Sequence, residues 1–133
     1  ITEHINMGVF DVLQIPYSAL QPEHEDAIAA AARAGMGIVI RGGVAKGLPG
    51  KGQGSADLWD LWDKAKLDEL LDGEDPTEFM LRFTITNPDI HTTVVGTLDP
   101  EHLIGNVASV LKGPLPASVY SGANRRLVGA RTA

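Results

Sequence analysis

Three short runs of apolar residues rich in valine and isoleucine divide the chain, and within each run the apolar positions follow one another with few polar interruptions. The runs are residues 9–15, 37–41 and 92–96. Continuous apolar character is typical of parallel strands whose two faces are both covered by other parts of the protein. The pattern therefore predicts three buried parallel strands.

Between and after these runs the sequence carries clear signals for helix starts. Pro22, Pro76 and Pro100 each stand at a predicted first helical position with a carboxylate in the following turn, and Asp75 and Asp99 are the predicted N-caps of the second and third helices. Proline has no N–H group to lose at that position, and acidic side chains complement the positive end of the helix dipole. The first helix should stop near residue 35, the second should be largely buried and end at residues 87–88, and the third should carry one apolar face.

An amphipathic segment at residues 58–71 follows the glycine-rich stretch 42–54 and predicts an inserted helix. It carries Trp59 and Trp62, which could either pack in the core or stack on a ligand. Their spacing matches the apolar face of a helix, which favours packing.

Alternating strands and helices predict a parallel α/β sheet with right-handed crossovers. In this organisation residues 1–8 end a preceding unit, residues 9–112 form three β/α units with a helical insertion near 55–72, and residues 113–133 form a helical tail. Three strands leave two open edges, whereas a complete (β/α)₈ barrel needs about 250 residues. The chain is therefore expected to be a fragment, a half-barrel that pairs with another copy, or a sheet closed in some other way. We expect self-association or pairing with a missing amino-terminal half.

Composition narrows the classes of partner and the compartment. A net charge of −6 and the lack of a basic run disfavour nucleic acid and anionic membrane surfaces as partners. No cysteine is present, so disulfides and thiolate metal sites are excluded and a cytoplasmic location is the expectation. The four histidines lack the spacing of metal ligands, so no metal site is predicted, and a plain surface role is expected for His4, His24 and His91.

Ligands of parallel α/β proteins bind at the carboxyl ends of the strands, so the residues after each predicted strand are the candidates for chemistry. Residues 41–47, RGGVAKG, and residues 96–102, GTLDPEH, combine small residues, positive charge and a helix start. Such a combination suits a phosphate, although a Gly-Gly pair after a strand is more commonly a simple turn. Neither a nucleophile with its base nor a pair of carboxylates follows a predicted strand, so no catalytic residue is assigned.

The order of these motifs resembles that of aldo-keto reductases. Residues 10–17, FDVLQIPY, are similar to the sixth strand of that family, and residues 34–42 with 47–48 look like its seventh strand and following loop. Residues 81–83, 94–97, 100–103 and 106–107 are similar to its seventh helix, eighth strand and eighth helix. The resemblance runs from about residue 9 to residue 107, and it implies a partial (β/α)₈ TIM barrel of aldo-keto reductase type.

On the nicotinamide side of the cofactor, the resemblance implies roles for residues of the first two strands and their loops. Gln14 would hydrogen-bond the nicotinamide carboxamide. Arg41 replaces a planar side chain that stacks on the nicotinamide ring, and a guanidinium can also stack. Gly42, Gly43 and Val44 would line the pyrophosphate.

On the adenosine side, the resemblance implies roles for residues around the third strand. Gly96 and Thr97 replace a frequent Lys-Ser pair near the adenosine 2′-phosphate, His102 replaces an arginine that grips it, and Asn106 matches an asparagine that contacts adenine. The implied cofactor is NADPH, and NADH is possible because both the lysine and the arginine are replaced.

The family's catalytic set of Asp, Tyr, Lys and His comes from its first four strands, and no part of this sequence matches them. Tyr17 follows the predicted sixth strand and matches no member of that set. The leading hypothesis is an NAD(P)H-dependent oxidoreductase whose whole protein reduces an aldehyde or ketone, with this chain as the cofactor-binding carboxy-terminal part, inactive by itself. The alternatives are a non-catalytic half-barrel module for nucleotide binding or assembly, and an unrelated small α/β domain.

Overall fold

Three parallel strands and six α-helices follow one another in the computed structural model, which describes all residues 1–133. In chain order the elements are α1 (Thr2–Met7), β1 (Val12–Pro16), α2 (Glu25–Arg33), β2 (Gly37–Arg41), α3 (Ala56–Lys64), a 3₁₀ turn (Leu67–Leu70), α4 (Pro76–Thr86), β3 (Thr92–Val94), α5 (Pro100–Leu111) and α6 (Ala117–Thr132). The sheet has the order β1-β2-β3 and is not closed. The predicted α/β class with parallel strands is confirmed.

The register brings the carboxyl ends of the three strands to one edge of the sheet. Arg41 at the end of β2 lies opposite Pro16 of β1 on one side and Val94 of β3 on the other. The loops that follow the three strands therefore start side by side.

Only one face of the sheet is covered. Ile15, Ile38 and Ile40 point to the helical side and are at most 2% exposed. Val12 and Val94 lie on the opposite face, where they are 56% and 51% exposed. The expectation of strands buried on both faces was wrong, because helices pack on one side of the sheet and no element of this chain covers the other.

Two of the three predicted proline starts are confirmed. Asp75 accepts from the Thr77 amide at 2.7 Å and Asp99 accepts from the Glu101 amide at 2.9 Å, with proline as the first helical residue in both cases. The predicted start at Pro22 was wrong, since α2 begins at Glu25. Pro22 instead lies in a turn before the helix, and its carbonyl oxygen accepts a hydrogen bond from the Glu25 amide at 2.9 Å.

The strand bounds agree best for β2, which spans residues 37–41 as predicted. β1 begins at Val12 instead of residue 9, and Val9 and Phe10 are exposed. β3 ends at Val94 instead of residue 96. Both differences fall on edge strands, which have a hydrogen-bonded neighbour on one side only.

The predicted insertion is helical but divided. α3 ends at Lys64, Lys66 adopts a left-handed conformation with φ 50°, and the 3₁₀ turn follows. Trp59 and Trp62 are 5% and 3% exposed, with ring centroids 5.4 Å apart, and Trp62 meets Phe79 of α4 edge-on at 5.6 Å. The two tryptophans are core residues, as their spacing predicted.

The buried guanidinium of Arg82 in α4 holds the connection into α6. Its Nε donates to the carbonyl oxygen of Gly113 and its Nη2 to that of Pro114, both at 2.9 Å, while Nη1 pairs with Glu74. α6 then packs against α3 and the 3₁₀ turn. The last helix therefore returns to the helical side of the sheet and leaves the open face uncovered.

Candidate functional site

The candidate site consists of the three loops that leave the carboxyl edge of the sheet. Gln14 lies two residues before the end of β1, exposed on the open face and opposite Val39. Gly42 follows β2 directly, and Gly96 follows β3 by two residues. Because the strands are parallel and in register, all three residues belong to the same edge, as a shared ligand mouth requires.

The loop after β2 contains two glycines that the structure needs for different reasons. Gly42 has φ +73°, a left-handed conformation that side chains disfavour. A Cβ atom on Gly43 would lie 3.2 Å from Thr84 Oγ1 and 3.3 Å from Thr93 Oγ1. The turn and the close approach of the backbone to α4 and β3 therefore both depend on glycine.

This turn leaves consecutive amide groups without protein partners. The amides of Gly42, Gly43 and Val44 donate to no backbone or side-chain acceptor, whereas the Ala45 amide donates to the Gly42 carbonyl oxygen at 2.9 Å. Successive free N–H groups beside a left-handed residue form a concave donor site that suits an anion. Lys46 follows in a left-handed conformation with φ 62° and an exposed side chain. The amides of this turn can donate hydrogen bonds to the oxygens of a phosphate.

Arg41 brings a second cation to the same edge. It is the last residue of β2, its side chain is exposed, and its guanidinium forms no ion pair with a carboxylate of the chain. A free guanidinium at this position can pair with an anion or lie against a planar ring.

The loop after β3 is organised by its own side chains. Thr97 Oγ1 accepts from the Asp99 amide at 3.1 Å, and His102 Nδ1 lies 3.5 Å from the same hydroxyl. His102 Nε2 lies 3.6 Å from Asp99 Oδ2, and both side chains are exposed. Asn106 follows one helical turn later and is half-buried. Thr97, His102 and Asn106 are thus neighbours along the start of α5.

The two loops differ in their electrostatics. Arg41 and Lys46 supply positive charge at the loop after β2, whereas Asp99 and Glu101 place carboxylates at the start of α5. Asp99 already caps the helix by accepting from the Glu101 amide, so an incoming anion meets a negative charge there. The free amides at residues 42–44 are the better anion site of the two.

Tyr17 lies on the helical side of the sheet, away from the open face. It is 2% exposed, and its hydroxyl donates to Glu25 Oε1 at 3.3 Å. Burial, followed by the nearby Glu25 carboxylate, raises the pKa of Tyr17 well above its usual value. The phenol is therefore enclosed by the helical side of the fold and is not exposed at the open face of the sheet.

Sequence reasoning missed two threonines that support the site and one histidine that joins β2 to β3 at the opposite end of the strands. His91, expected to have a plain surface role, accepts from the Ile38 amide through Nδ1 at 3.0 Å and so joins β2 to the start of β3. Thr84 and Thr93 form the wall against which Gly43 packs. A threonine within the apolar run of α4 was the available signal for Thr84, since a polar residue in a buried helix needs a partner.

The structure shows neither a cluster of metal ligands nor a helix able to span a membrane. No group of three or more His, Asp or Glu side chains is arranged to hold a metal ion. None of the helices combines the length and the apolar character that crossing a bilayer demands.

Comparison with known proteins identifies the fold. No family model matches the chain, and no curated protein sequence matches it. An aldo-keto reductase from Bacillus halodurans matches in structure with a TM-score of 0.76: its holo form is 20% identical and the match covers 94% of this chain and 44% of that one. Its apo form gives the same TM-score, 19% identity, and coverage of 94% and 46%.

The chain therefore spans less than half the length of the reductase it matches. At this identity the likeness concerns the fold alone: the three β/α units match part of the barrel of that reductase, and the sheet of this chain is not closed. The fold expected from the motif order is confirmed.

Proposed function

We propose that this chain is the nucleotide-binding part of an NAD(P)H-dependent oxidoreductase of aldo-keto reductase type. One observation carries the proposal: the free amides of Gly42, Gly43 and Val44 lie at the strand edge to which Gln14 and Gly96 also belong. A dinucleotide needs an anion site for its two phosphates with further contacts on either side, and the three loops offer both.

On one side of the anion site, Gln14 and Arg41 would hold the nicotinamide. The Gln14 amide would hydrogen-bond the carboxamide, and the Arg41 guanidinium would lie against the ring. The bound cofactor would supply hydride to an aldehyde or ketone. The residues of this chain would orient it and would not themselves transfer a proton.

On the other side, Gly96, Thr97, His102 and Asn106 would hold the adenosine. Thr97 and Asn106 offer hydroxyl and amide groups to the sugar and base. His102 could meet a 2′-phosphate, but Asp99 and Glu101 oppose a further negative charge there. The proposed cofactor is therefore NADPH, with NADH as the alternative. The two carboxylates near His102 would reduce the preference for NADPH over NADH.

The chain by itself would reduce no carbonyl compound. None of its residues matches the catalytic Asp, Tyr, Lys and His that the resemblance implies for the family, and Tyr17 is buried and hydrogen-bonded to Glu25. The whole protein would need a proton donor from further β/α units, as the match to less than half of a reductase suggests.

A second candidate function is a non-catalytic half-barrel module for nucleotide binding or for assembly. The exposed apolar residues at both ends of the sheet favour an assembly role. The two candidates differ in what the complete protein must contain. An oxidoreductase needs a side chain that donates a proton to the substrate, whereas a non-catalytic module does not.

Titration with NADPH tests the proposal, with nucleotide fluorescence as the readout. Gly42→Ala should weaken binding roughly tenfold, because a Cβ disfavours the left-handed φ that shapes the loop, and displaced amides would lose about 1.5 kcal/mol of charge-assisted hydrogen bonding. Gly35→Ala is the matched control, because Gly35 also has a left-handed conformation, with φ +81°, and lies between α2 and β2, at the opposite end of the strand from the site. Equal effects of the two substitutions, or no binding of NADPH or NADH at millimolar concentration, would refute the proposed nucleotide site.

A further inference from the structure

A cleft of about 380 Å³ lies between the loop after β2 and the helices that follow it. Its apolar wall comprises Leu48 and Pro49 of the loop, Trp59 and Trp62 of α3, and Pro76 of α4. Pockets that hold small molecules measure about 300–1,000 Å³, so the cleft has room for a small ligand. The resemblance to aldo-keto reductases gives none of these residues a role.

The exposed rim of the cleft carries two negative charges and no positive one. Asp63 of α3 and Asp68 of the 3₁₀ turn both line it, and neither forms a salt bridge within the chain. Asp68 Oδ1 accepts from Trp62 Nε1 at 2.8 Å, which fixes this carboxylate against the indole. No lysine, arginine or histidine lines the cleft. Its charge therefore attracts a cation and repels an anion such as a phosphate.

The indole N–H of Trp59 is a donor without a partner. Trp59 is 5% exposed, and its Nε1 is buried and donates to no acceptor of the chain. A Cβ atom placed on Gly54 would lie 2.7 Å from this nitrogen, so the nitrogen lies on the side of the indole where the loop after β2 passes. Most buried polar groups have a hydrogen-bond partner, and this one is therefore available to an acceptor on a ligand.

We propose that the cleft binds a small organic cation, a protonated amine attached to an aromatic or other apolar body. The ammonium group would lie between the carboxylates of Asp63 and Asp68, since charge-assisted hydrogen bonds to carboxylates are the strongest that an amine can make. The apolar body would lie against the two prolines and the parts of the two indoles that line the cleft. A hydroxyl or carbonyl oxygen on the ligand would accept from Trp59.

A metal ion suits the cleft less well than an organic cation. No group of three or more His, Asp or Glu side chains is arranged to hold a metal ion, and the two carboxylates would have to do so alone. Most of the wall is apolar, and it offers a hydrated ion nothing in place of its water ligands. The same wall gains from contact with the apolar body of an amine.

Titration with phenylethylammonium chloride tests the proposal, with the NMR signals of the indole N–H groups as the readout. The chain has two tryptophans and both line the cleft, so these signals report its occupancy directly. We expect saturable shifts with a dissociation constant of about 1 mM. Phenylethanol, which has a hydroxyl group in place of the ammonium, should bind at least about fivefold more weakly. Equal affinity for the amine and the alcohol, or no shift at about 10 mM amine, would overturn the proposal.

Substitutions in the cleft test the position of the ligand. Asp63→Asn should weaken binding about threefold, because it removes one charge from the rim. Asp57→Asn is the matched control, since it removes the same charge from the exposed surface of α3 without lining the cleft, and it should leave binding unchanged. Ala56→Leu should block binding by filling space at an exposed position of the wall. Equal effects of the two aspartate substitutions, or undiminished binding to the Ala56→Leu chain, would place the ligand elsewhere.

A lysine side chain of another protein could bring the same charge to the cleft. Nα-acetyl-lysine amide presents an ammonium group on an aliphatic chain, as such a partner would, and we expect it to bind more weakly than phenylethylammonium. Tighter binding of the lysine probe would assign the cleft to a protein and overturn the small-molecule ligand. Residues 42–44 do not line the cleft, so failure of nucleotide binding would leave this inference standing.

Discussion

The hydroxyl oxygen of Thr84 lies 3.1 Å from the carbonyl oxygen of Gly43, across 41 positions of the chain. It lies equally close to the carbonyl oxygen of Met80 in its own helix, and its single proton can go to either acceptor. This contact fixes the loop after β2 against α4.

Gly43→Ala should destabilise the fold by about 1–3 kcal/mol, because the new methyl group would press on Thr84 and Thr93 in a packed region. Urea unfolding followed by tryptophan fluorescence measures the change. Gly96→Ala is the control, since no atom lies within 4 Å of a Cβ placed there, and it should alter stability by less than about 0.5 kcal/mol. Equal stability of the Gly43→Ala and wild-type chains would show that the loop does not pack as described.

Arg82→Ala should cost about 3–5 kcal/mol, because it leaves the Glu74 carboxylate buried and unpaired and removes two donors to residues 113–114. The loss should appear as a lower denaturation midpoint. Lys64→Ala removes an exposed pair with Asp60 and should leave the denaturation midpoint nearly unchanged. A small effect at Arg82 would mean that α6 is not anchored through the buried guanidinium.

High pH should destabilise the chain through its two tyrosines. Burial is the main cause that raises the pKa of both Tyr17 and Tyr120 in the folded state. In the unfolded chain both titrate near pH 10. Above that pH the unfolded state loses protons that the folded state retains, so the stability present below pH 10 decreases as pH rises.

Spectrophotometric titration at the wavelength of the phenolate band measures this effect directly. Both tyrosines should ionise at a higher pH in the folded chain than in the urea-unfolded chain. Tyr17→Phe should make the free energy of unfolding less dependent on pH above 10. A folded chain in which Tyr17 ionises at its ordinary pKa would disprove its buried environment.

His91→Ala should loosen the junction between β2 and β3, because the Ile38 amide loses its acceptor. Removal of one hydrogen bond costs roughly 1 kcal/mol, so exchange of the Ile38 amide should accelerate about fivefold. His24→Ala serves as the comparison, since His24 stands at the N-cap of α2 without a side-chain hydrogen bond. Unchanged exchange at Ile38 would indicate that the imidazole does not hold this edge.

Much of the local structure could be predicted from the sequence. The Asp-Pro pairs at 75–76 and 99–100 mark helix starts because the capping bond and the proline preference involve residues only a few positions apart. The bounds of β2 were predictable because it is the central strand and its whole apolar run is paired. Pro22 misled the prediction, since a proline suits a turn before a helix as well as the first position within it.

The candidate site was predictable in outline and not in its contacts. Parallel strands imply that Gln14, Gly42 and Gly96 share an edge, and the register has this arrangement. The Gly43–Thr84 and Ile38–His91 contacts join residues 41 and 53 positions apart. No periodicity relates such distant positions, so the sequence offered no means of choosing these partners.

The sequence alone predicted three parallel β/α units, the helix caps at Asp75 and Asp99, and the burial of Trp59 and Trp62. These features depend on hydrogen bonds and hydrophobic patterns that repeat over a few residues. Only the tertiary structure decided that the sheet is covered on one face, that Tyr17 lies behind it, and that Gly42, Gly43 and Val44 keep free amides. Those outcomes depend on which distant surfaces meet, and a linear pattern records that a residue should be buried without recording what buries it.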